Sequence, residues 1–313
     1  MKNQPLISII MPVYNTEKYV DEAIHSIMQQ DFHNFELLLI NDGSSDGSGV
    51  ILEQWAVQDE RVHLFFQENQ GLSATRNKGL SYAKGKYVYF MDSDDKLRPD
   101  TLSSCIDYCE SSNLDFVYFD ATVFGEEADA KLLAGFNYAR TYTIPYDVST
   151  GPVAVAGQLE RREFFSSACM VLIKKELLDQ HGLKFEVGLL HEDELFTMLL
   201  YLQAARVAYL PEKYFLRRVR PDSIMTSSLR LFNIQCYFKI AEYLSDFAHR
   251  QHQHKNTVDH YLKNMLNAAV WKAHVLPFAD RCKILYTVLK NWRSYVQIRS
   301  LQVLMFKNYF SEK

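Results

Sequence analysis

No hydrophobic run in this 313-residue chain is long enough to cross a bilayer, and that sets the first limit on what it can be. A spanning helix needs about 20 mostly apolar residues. The run nearest the N-terminus, Leu6 to Met11, is interrupted by Ser8 and stopped by Pro12, which is too short for a span or a secretory signal. The expectation is a cytoplasmic protein that can lie on a membrane but not cross it. Cysteine is scarce as well. The five are odd in number and scattered, with Cys105 and Cys109 one helical turn apart, so they read as reduced thiols packed as small hydrophobes rather than as a disulfide framework. Glycine is absent from Leu229 onward and proline occurs there once, at Pro277, so little in that stretch would break a helix. Two nucleotide signatures are also missing. No Gly-x-Gly-x-x-Gly follows the first apolar run and no P-loop is present, which leaves a dehydrogenase or a P-loop NTPase without support.

What is present is an ordinary globular composition, 48% hydrophobic and 23% charged, with length for one large domain and an appendage. The net charge of −4 hides an asymmetry. From Leu229 to the end there are 13 Lys or Arg against 5 Asp or Glu, a net of +8, which leaves the first 228 residues at 21 against 33, or −12. The boundary is drawn there, 1–228 and 229–313, and the two parts are expected to face different partners.

In the first part, short apolar runs alternate with helical periodicity. Leu6–Met11, Glu36–Ile40, Arg61–Phe66, the six residues Lys86–Met91 after Gly85, and Asp115–Phe119 read as strands. Pro12 to Asn15 is expected to end the first, with Asn15 or Thr16 capping a helix that faces the core through Val20, Ala23, Ile24, Ile27 and Met28. A second helix runs through Trp55, a third spans Leu72–Ala83 and a fourth begins near Pro99. Such alternation favours an α/β fold with a mostly parallel sheet and helices on both faces. Each strand ends in polar residues, including Asn41-Asp-Gly-Ser44, Asn69-Gln-Gly71 and Asp92-Ser-Asp-Asp95. A strand ending in Asp92-Ser93-Asp94 can offer two carboxylates to one hard cation carrying a diphosphate, although Asp-x-Asp alone also suits a solvated turn.

Four segments, taken together and in order, resemble family 2 glycosyltransferases of the GT-A fold: Ser8-Ile-Ile-Met-Pro-Val-Tyr-Asn15, Ile40-Asn-Asp-Gly-Ser-Ser-Asp-Gly-Ser48, Asn69-Gln-Gly-Leu-Ser-Ala-Thr-Arg-Asn-Lys-Gly79 and Phe90-Met-Asp-Ser-Asp-Asp95. The resemblance covers Leu6 to about Ser228 and fades beyond. It implies a nucleotide-sugar half at about 1–120 and an acceptor half at about 150–228. It implies further that Pro12 and Tyr14 line a nucleobase pocket, that Asp42 accepts from the base and that Arg76 meets base or diphosphate. Asp92, Ser93 and Asp94 would meet the ribose and the ion, Asp92 and Asp94 being the metal ligands, with Mn2+ or Mg2+ as cofactor. Chemistry agrees on two points: a uracil offers an N–H that a carboxylate can accept, and a departing diphosphate needs its charge neutralised.

Later segments are less legible. Residues 126–148, with Glu126, Glu127 and Asp129 early and Pro145 late, read as a surface insertion. Gln158 to Phe165 begins the acceptor half, and Ser166–Lys174 reads as a half-buried strand whose residues Ser167 to Met170 the resemblance makes wall residues beside the donor sugar. His191-Glu-Asp-Glu-Leu-Phe196 opens a helix with three acids, which suits a helix dipole by itself. The resemblance makes Asp193 the general base of an inverting transfer, with Glu192 and Glu194 as open substitutes. His191 is either a metal or phosphate contact or a hydrogen-bond partner of the acids. Arg206–Leu210 and Lys213–Leu216 read as two last strands. The stretch Arg217-Arg-Val-Arg-Pro-Asp-Ser-Ile-Met225 resembles a loop that closes over the diphosphate, with Arg220 where relatives often carry histidine; this leaves a third metal ligand open and favours an arginine-to-phosphate contact over a solvated basic loop. Three basic amphipathic helices are expected after Leu229, with His249, His252 and His254 at a solvated helix end.

The reading is thus an inverting, metal-dependent glycosyltransferase that moves a sugar from a nucleotide sugar, UDP-linked, to a hydroxyl of a glycan or lipid-linked saccharide in cell-surface polysaccharide synthesis. No nucleic-acid partner is expected, a homo-oligomer is left open, and residues 229–313 either touch anionic lipid or pack on protein. A nucleotidyltransferase would need a glycine-rich, basic loop after the first strand, which Pro12 to Asn15 does not supply. A non-catalytic nucleotide-sugar sensor or scaffold on the same fold differs only in activity.

Overall fold

All seven residues of β1 (Ile7–Val13) are buried, and so are all seven of β2 (Phe35–Asn41), as strands covered on both faces require. The computed structural model describes residues 4–125, 133, 135–141, 143–220 and 228–310. With β3 (Val62–Phe66), β4 (Tyr87–Phe90), β5 (Lys96–Leu97), β6 (Phe116–Phe124), β7 (Val171–Lys174) and β8 (Val207–Arg218), these strands form one sheet of order β3-β2-β1-β4-β7-β6-β8-β5. Pairing is parallel through β3, β2, β1 and β4 and again between β6 and β8. It is antiparallel where β7 meets β4 and β6, and where β5 meets β8. The expected α/β fold with a mostly parallel sheet is what the chain adopts. Helices α1 (Val20–Met28), α2 (Ser48–Gln58), α3 (Leu72–Tyr82) and α4 (Thr101–Ser112) connect the early strands, and α5 (Gly151–Arg161), α6 (Lys175–His181) and α7 (Glu192–Gln203) follow.

The chain divides into two compact units, Met1–Gly188 with Phe196–Ser223, and Leu189–Leu195 with Ile224–Lys313. The second contains α8 (Leu231–Arg250), α9 (Lys255–Lys272), α10 (Phe278–Thr287) and α11 (Ile298–Phe310), four helices among the described residues where three were expected. A 3-10 turn at Ala273–Val275 and Pro277 separate α9 from α10. No helix of the described residues is long and apolar enough to cross a membrane, and none of the five cysteines is in a disulfide.

Several boundaries differ from expectation for local reasons. Pro12 does not stop β1, which continues to Val13. The Ile10 carbonyl accepts from Met91 N–H, so Ile10 and, two residues on, Pro12 present their backbone toward β4, whose ladder with β1 ends at Ile10↔Phe90. The missing N–H of Pro12 therefore falls beyond the last rung. Neither Asn15 nor Thr16 caps α1 with its side chain. Asn15 takes a left-handed conformation (φ 51°) and accepts from the Ser45 N–H, while the Thr16 hydroxyl donates to Ser93. The Thr16 carbonyl holds the turn instead, accepting from Tyr19 and Val20.

The two expected last strands are one, β8, bent where its register against β6 jumps from Phe119↔Leu210 to Asp120↔Lys213. Pro211 lies in that jump, where no ladder N–H is needed. The expected strand from Ser166 begins only at Val171, after a 3-10 turn, and Ser167 to Met170 are fully buried rather than half-buried. Helix α5 was not foreseen, although Thr150-Gly-Pro152 carries its signal: the Thr150 hydroxyl accepts from the Val153 N–H and proline sits in the first turn. Glu126, Glu127, Asp129, Ser223 and Met225 lie outside the described residues.

Candidate functional site

Three parallel strands end side by side in the first unit. Val13 of β1 pairs with Asn41 of β2, and Ile10 pairs with Phe90 of β4, so the register carries Tyr14 alongside Asp42 and Pro12 alongside Asp92. Tyr14 is half exposed, whereas Pro12 and Asp42 are buried. The Asp42 carboxylate is engaged by the loop before α3: Oδ1 accepts from Gln67 Nε2 (2.7 Å) and Gln70 N–H (2.9 Å), and Oδ2 from Gly71 N–H (2.9 Å). Before any ligand arrives, Asp42 is thus the anchor of residues 67–71, a task the sequence reading did not assign. Gly43 must be glycine here, since its φ is 73° and a Cβ would lie 2.9 Å from the Asn69 nitrogen.

At the end of β4 the three aspartates diverge. Asp92 Oδ1 accepts from Arg76 Nη2 at 2.8 Å, and that guanidinium, rooted in α3, stacks 4.9 Å above the Phe185 ring. Burial opposes the charge of Asp92, but Arg76 and Arg217 outweigh it and hold the carboxyl below its ordinary range. Asp94 Oδ2 accepts from Arg220 Nε at 2.7 Å. Asp95 is buried, and desolvation together with Asp94 and Asp92 pushes its carboxyl well above the usual value. Its Oδ1 accepts the Arg218 N–H, tying the end of β8 to this turn. Arg218 also bonds the Asp94 carbonyl and pairs with Glu22. Ser93 is buried, its hydroxyl bonded to Thr16.

The first unit therefore gathers Pro12, Tyr14, Asp42, Arg76, Asp92, Ser93, Asp94 and Arg220 around the carboxyl ends of β1, β2 and β4, where ligands bind in open α/β sheets. Arg217, Arg218 and Asp95, which the sequence placed in the arginine-rich loop and the acidic turn without an individual role, belong to the same cluster, and Glu22 joins it unforeseen. Among the described residues no three His, Cys, Asp or Glu side chains form a metal cage. Asp92 and Asp94, each about a quarter to a fifth exposed, present hard oxygen donors, which suits a Mg2+ or Mn2+ that takes its remaining ligands from phosphate and water.

The acidic stretch of α7 is counted with the second unit up to Leu195. Glu194 accepts from the Tyr261 hydroxyl, and Glu192 is buried. His191, at φ 63°, stacks on Tyr237 with ring centroids 4.7 Å apart, its Nε2 lying 3.4 Å from Asn233 Nδ2. Burial, helped by Lys272, lowers its pKa. Asp193 is partly exposed on the first turn of the helix.

Residues 8–182, more than half of the chain, match the family described as Glycosyl transferase family 2. The chain belongs to that family. Glycosyltransferase GlyG of Streptococcus pneumoniae is 32% identical over 235 residues, covering 72% of this chain and 75% of that protein. Two further curated relatives are longer, the match covering 63% of each. Among solved structures, S. aureus TarS 1–349 in complex with UDP-GlcNAc superposes with a TM-score of 0.68 at 20% identity, covering 98% of this chain and 92% of that one. A mannosyltransferase from Pyrobaculum calidifontis in complex with GDP-Man and Mn2+ gives 0.55 at 17%, covering 100% and 89%. These likenesses establish the GT-A fold for this family 2 chain.

Proposed function

We propose that this family 2 chain transfers a sugar from a UDP-sugar, with inversion, to a hydroxyl of a glycan or lipid-linked saccharide in cell-surface polysaccharide synthesis. The observation that carries the reading is the convergence, at adjacent strand ends, of the Asp42-anchored loop, the Arg76–Asp92 pair and the Asp94–Arg220 pair. In this proposal residues 1–228 are catalytic, with the donor half at about 1–120 and the acceptor half at about 150–228, and 229–313 are a basic helical region. Tyr14 and Pro12 flank the base. Asp42 keeps one of its roughly four lone-pair directions beyond the three loop bonds, enough to accept one N–H from uracil. Arg76 and Arg220 each carry a charge that a diphosphate could share with the neighbouring carboxylate, bidentate geometry favouring arginine for this task. A Mn2+ or Mg2+ held by Asp92 and Asp94 would neutralise charge on the departing diphosphate.

Asp193 is the proposed base. It accepts the proton of the attacking hydroxyl, whose oxygen forms the new bond to the anomeric carbon as the bond to the diphosphate breaks. The proposed setting is the cytoplasmic face of a membrane. Incubating the purified chain with UDP-, GDP- and TDP-sugars and Mn2+, followed by analysis of product anomeric configuration, tests the reading. Turnover of a UDP-sugar with inversion is expected. Tight UDP binding without turnover on any acceptor would favour a non-catalytic sensor, and retention would overturn the mechanism.

A further inference from the structure

Helix α10 and the π-helical turn that continues it, Val288–Trp292, have two unlike faces. Arg281, Ile284, Val288 and Trp292 are buried. On the adjoining face, at i, i+8 and i+11, Phe278, Tyr286 and Leu289 are 61%, 67% and 53% exposed, with partly buried Cys282 between them on the same stripe. Val275, just before the helix, is exposed as well. Lone exposed apolar residues are ordinary, but a stripe of large ones along one helix face is not. The orientation is fixed within the second unit: Arg281 donates to the Leu304 and Met305 carbonyls of α11, so the stripe cannot turn inward without breaking that tie. Helix α11 repeats the pattern, with Ile298 and Phe306 exposed at i and i+8 while Ser300 and Leu304 are buried.

Charge says what covers these faces. Residues 275–310 contain six Lys or Arg and one acid, Asp280, which is already paired with Lys283. Lys283, Lys290, Arg293, Arg299 and Lys307 are exposed beside the apolar stripes. Long basic side chains next to aromatic and aliphatic ones, on helices without a spanning segment, fit the boundary between anionic headgroups and acyl chains. We infer that α10, through Phe278, Tyr286 and Leu289 flanked by Lys283, Lys290 and Arg293, lies on an anionic lipid surface, with α11 adding Ile298, Arg299, Phe306 and Lys307. This deepens the membrane part of the function proposed above and rests on that part alone, not on the sugar chemistry.

The full chain, without sugar donor, is sedimented with phosphatidylglycerol vesicles and with phosphatidylcholine vesicles. Binding to the first should exceed the second and fall at least tenfold from low to 0.5 M salt, because headgroup attraction is screened. The variant Phe278→Ser/Tyr286→Ser/Leu289→Ser should lose tenfold or more of its partition at low salt. Lys290→Glu/Arg293→Glu should lose most of the salt-dependent part. All five positions are exposed, so circular dichroism melting should match the parent and confirms that each variant is folded. Wild-type binding to anionic vesicles that is absent at low salt, or unchanged in the triple variant, overturns the inference. A concentration-dependent dimer in sedimentation that the triple variant abolishes, without vesicle binding, would likewise overturn it and make the face a contact between copies. Transfer activity on a soluble acceptor is read separately, so loss of lipid binding with activity retained leaves the sugar chemistry intact.

Discussion

The chain has two acidic stretches, Asp92–Asp95 at the end of β4 and Glu192–Glu194 at the start of α7, and they are set among different neighbours. The first lies among arginines: the Arg76 guanidinium on Asp92, the Arg220 guanidinium on Asp94 and the Arg218 backbone N–H on Asp95. The second borders phenols and an imidazole: Tyr261 on Glu194, and Tyr237 against His191. Arg76 and Arg217 hold Asp92 ionised, whereas desolvation with Asp94 and Asp92 beside it pushes the Asp95 carboxyl up, so within one turn Asp92 offers carboxylate oxygen and Asp95 ties down the end of β8. Lys272 lies near enough to lower the His191 pKa, so a cation stands by this second stretch as well, and what distinguishes it is the phenol hydroxyl on Glu194 and the ring stack on His191. In the function proposed above the two stretches have different tasks, and each test below removes one side of that contrast.

The largest effect should come from the first stretch. Excess EDTA should abolish transfer and Mn2+ or Mg2+ should restore it, while Asp92→Asn and Asp94→Asn lose donor binding as well as rate, measured by initial rates and by calorimetry with UDP. Full activity in EDTA would remove the cation from the comparison altogether.

Next is Asp193→Asn, which keeps shape but removes the proton acceptor. Its kcat should fall by ~10² or more with donor affinity near that of the parent, since general-base assistance is worth about 10²- to 10⁴-fold. Glu192→Gln and Glu194→Gln should be milder. If Asp193→Asn keeps more than about a tenth of parental kcat, the second stretch is not the proton acceptor.

A smaller effect concerns the nucleobase. With metal present, UDP should raise the melting temperature more than GDP or CDP, because a ligand that binds only the folded state stabilises it by ~2.7 kcal/mol at a concentration 100 times its Kd. Asp42→Ala should erase the preference in the same thermal assay. Equal shifts for the three nucleotides would assign Asp42 to holding residues 67–71 and nothing more.

How much of this was written legibly in the chain depended on how local each cause is. The parallel strands β1, β2 and β4 announce themselves, because strands covered on both faces are continuous apolar runs ended by polar turns. The other side of the sheet is mixed, and the insertion of β7 between β4 and β6 follows from partners more than 50 residues away in sequence. No periodicity encodes that. The fused β8 was hidden by Pro211, which reads as a strand end unless the partner's bulge is known. At the site, motif residues were legible one by one, but their pairings were not. That Arg218 anchors Asp95, or that Asp42 is committed to the loop at 67–71, depends on chain crossings of 123 and 28–29 residues. Arg140, buried between Tyr118, Phe165 and Tyr209 and paired with Asp120, gave no sequence signal at all.

The smallest expected effect tests the surroundings of the second stretch. His191 is stacked on Tyr237, and burial, aided by Lys272, keeps its folded pKa below the ordinary 6.5. In the unfolded chain the ring protonates as pH falls through about 6.5. Between that value and the lower folded pKa the unfolded state binds more protons, so the stabilisation present above pH 6.5 is lost as pH falls through this window, by at most ~1.4 kcal/mol per pH unit for one group. His191→Phe keeps a ring against Tyr237 and cannot titrate. Its left-handed backbone, φ 63°, suits Phe less well than His, so some strain is expected, but strain lowers stability equally at every pH and leaves the slope untouched. His254 is also shifted down by burial and contributes to both proteins, so the readout is the difference between their slopes. Urea denaturation followed by tryptophan fluorescence, to which Trp271 and Trp292 contribute from the second unit, should give a flatter stability curve from pH 7.5 to 5 for His191→Phe. Parallel curves would mean that His191 takes up its proton as readily in the folded protein as in the unfolded chain, and that its burial against Tyr237 does not hold its pKa down.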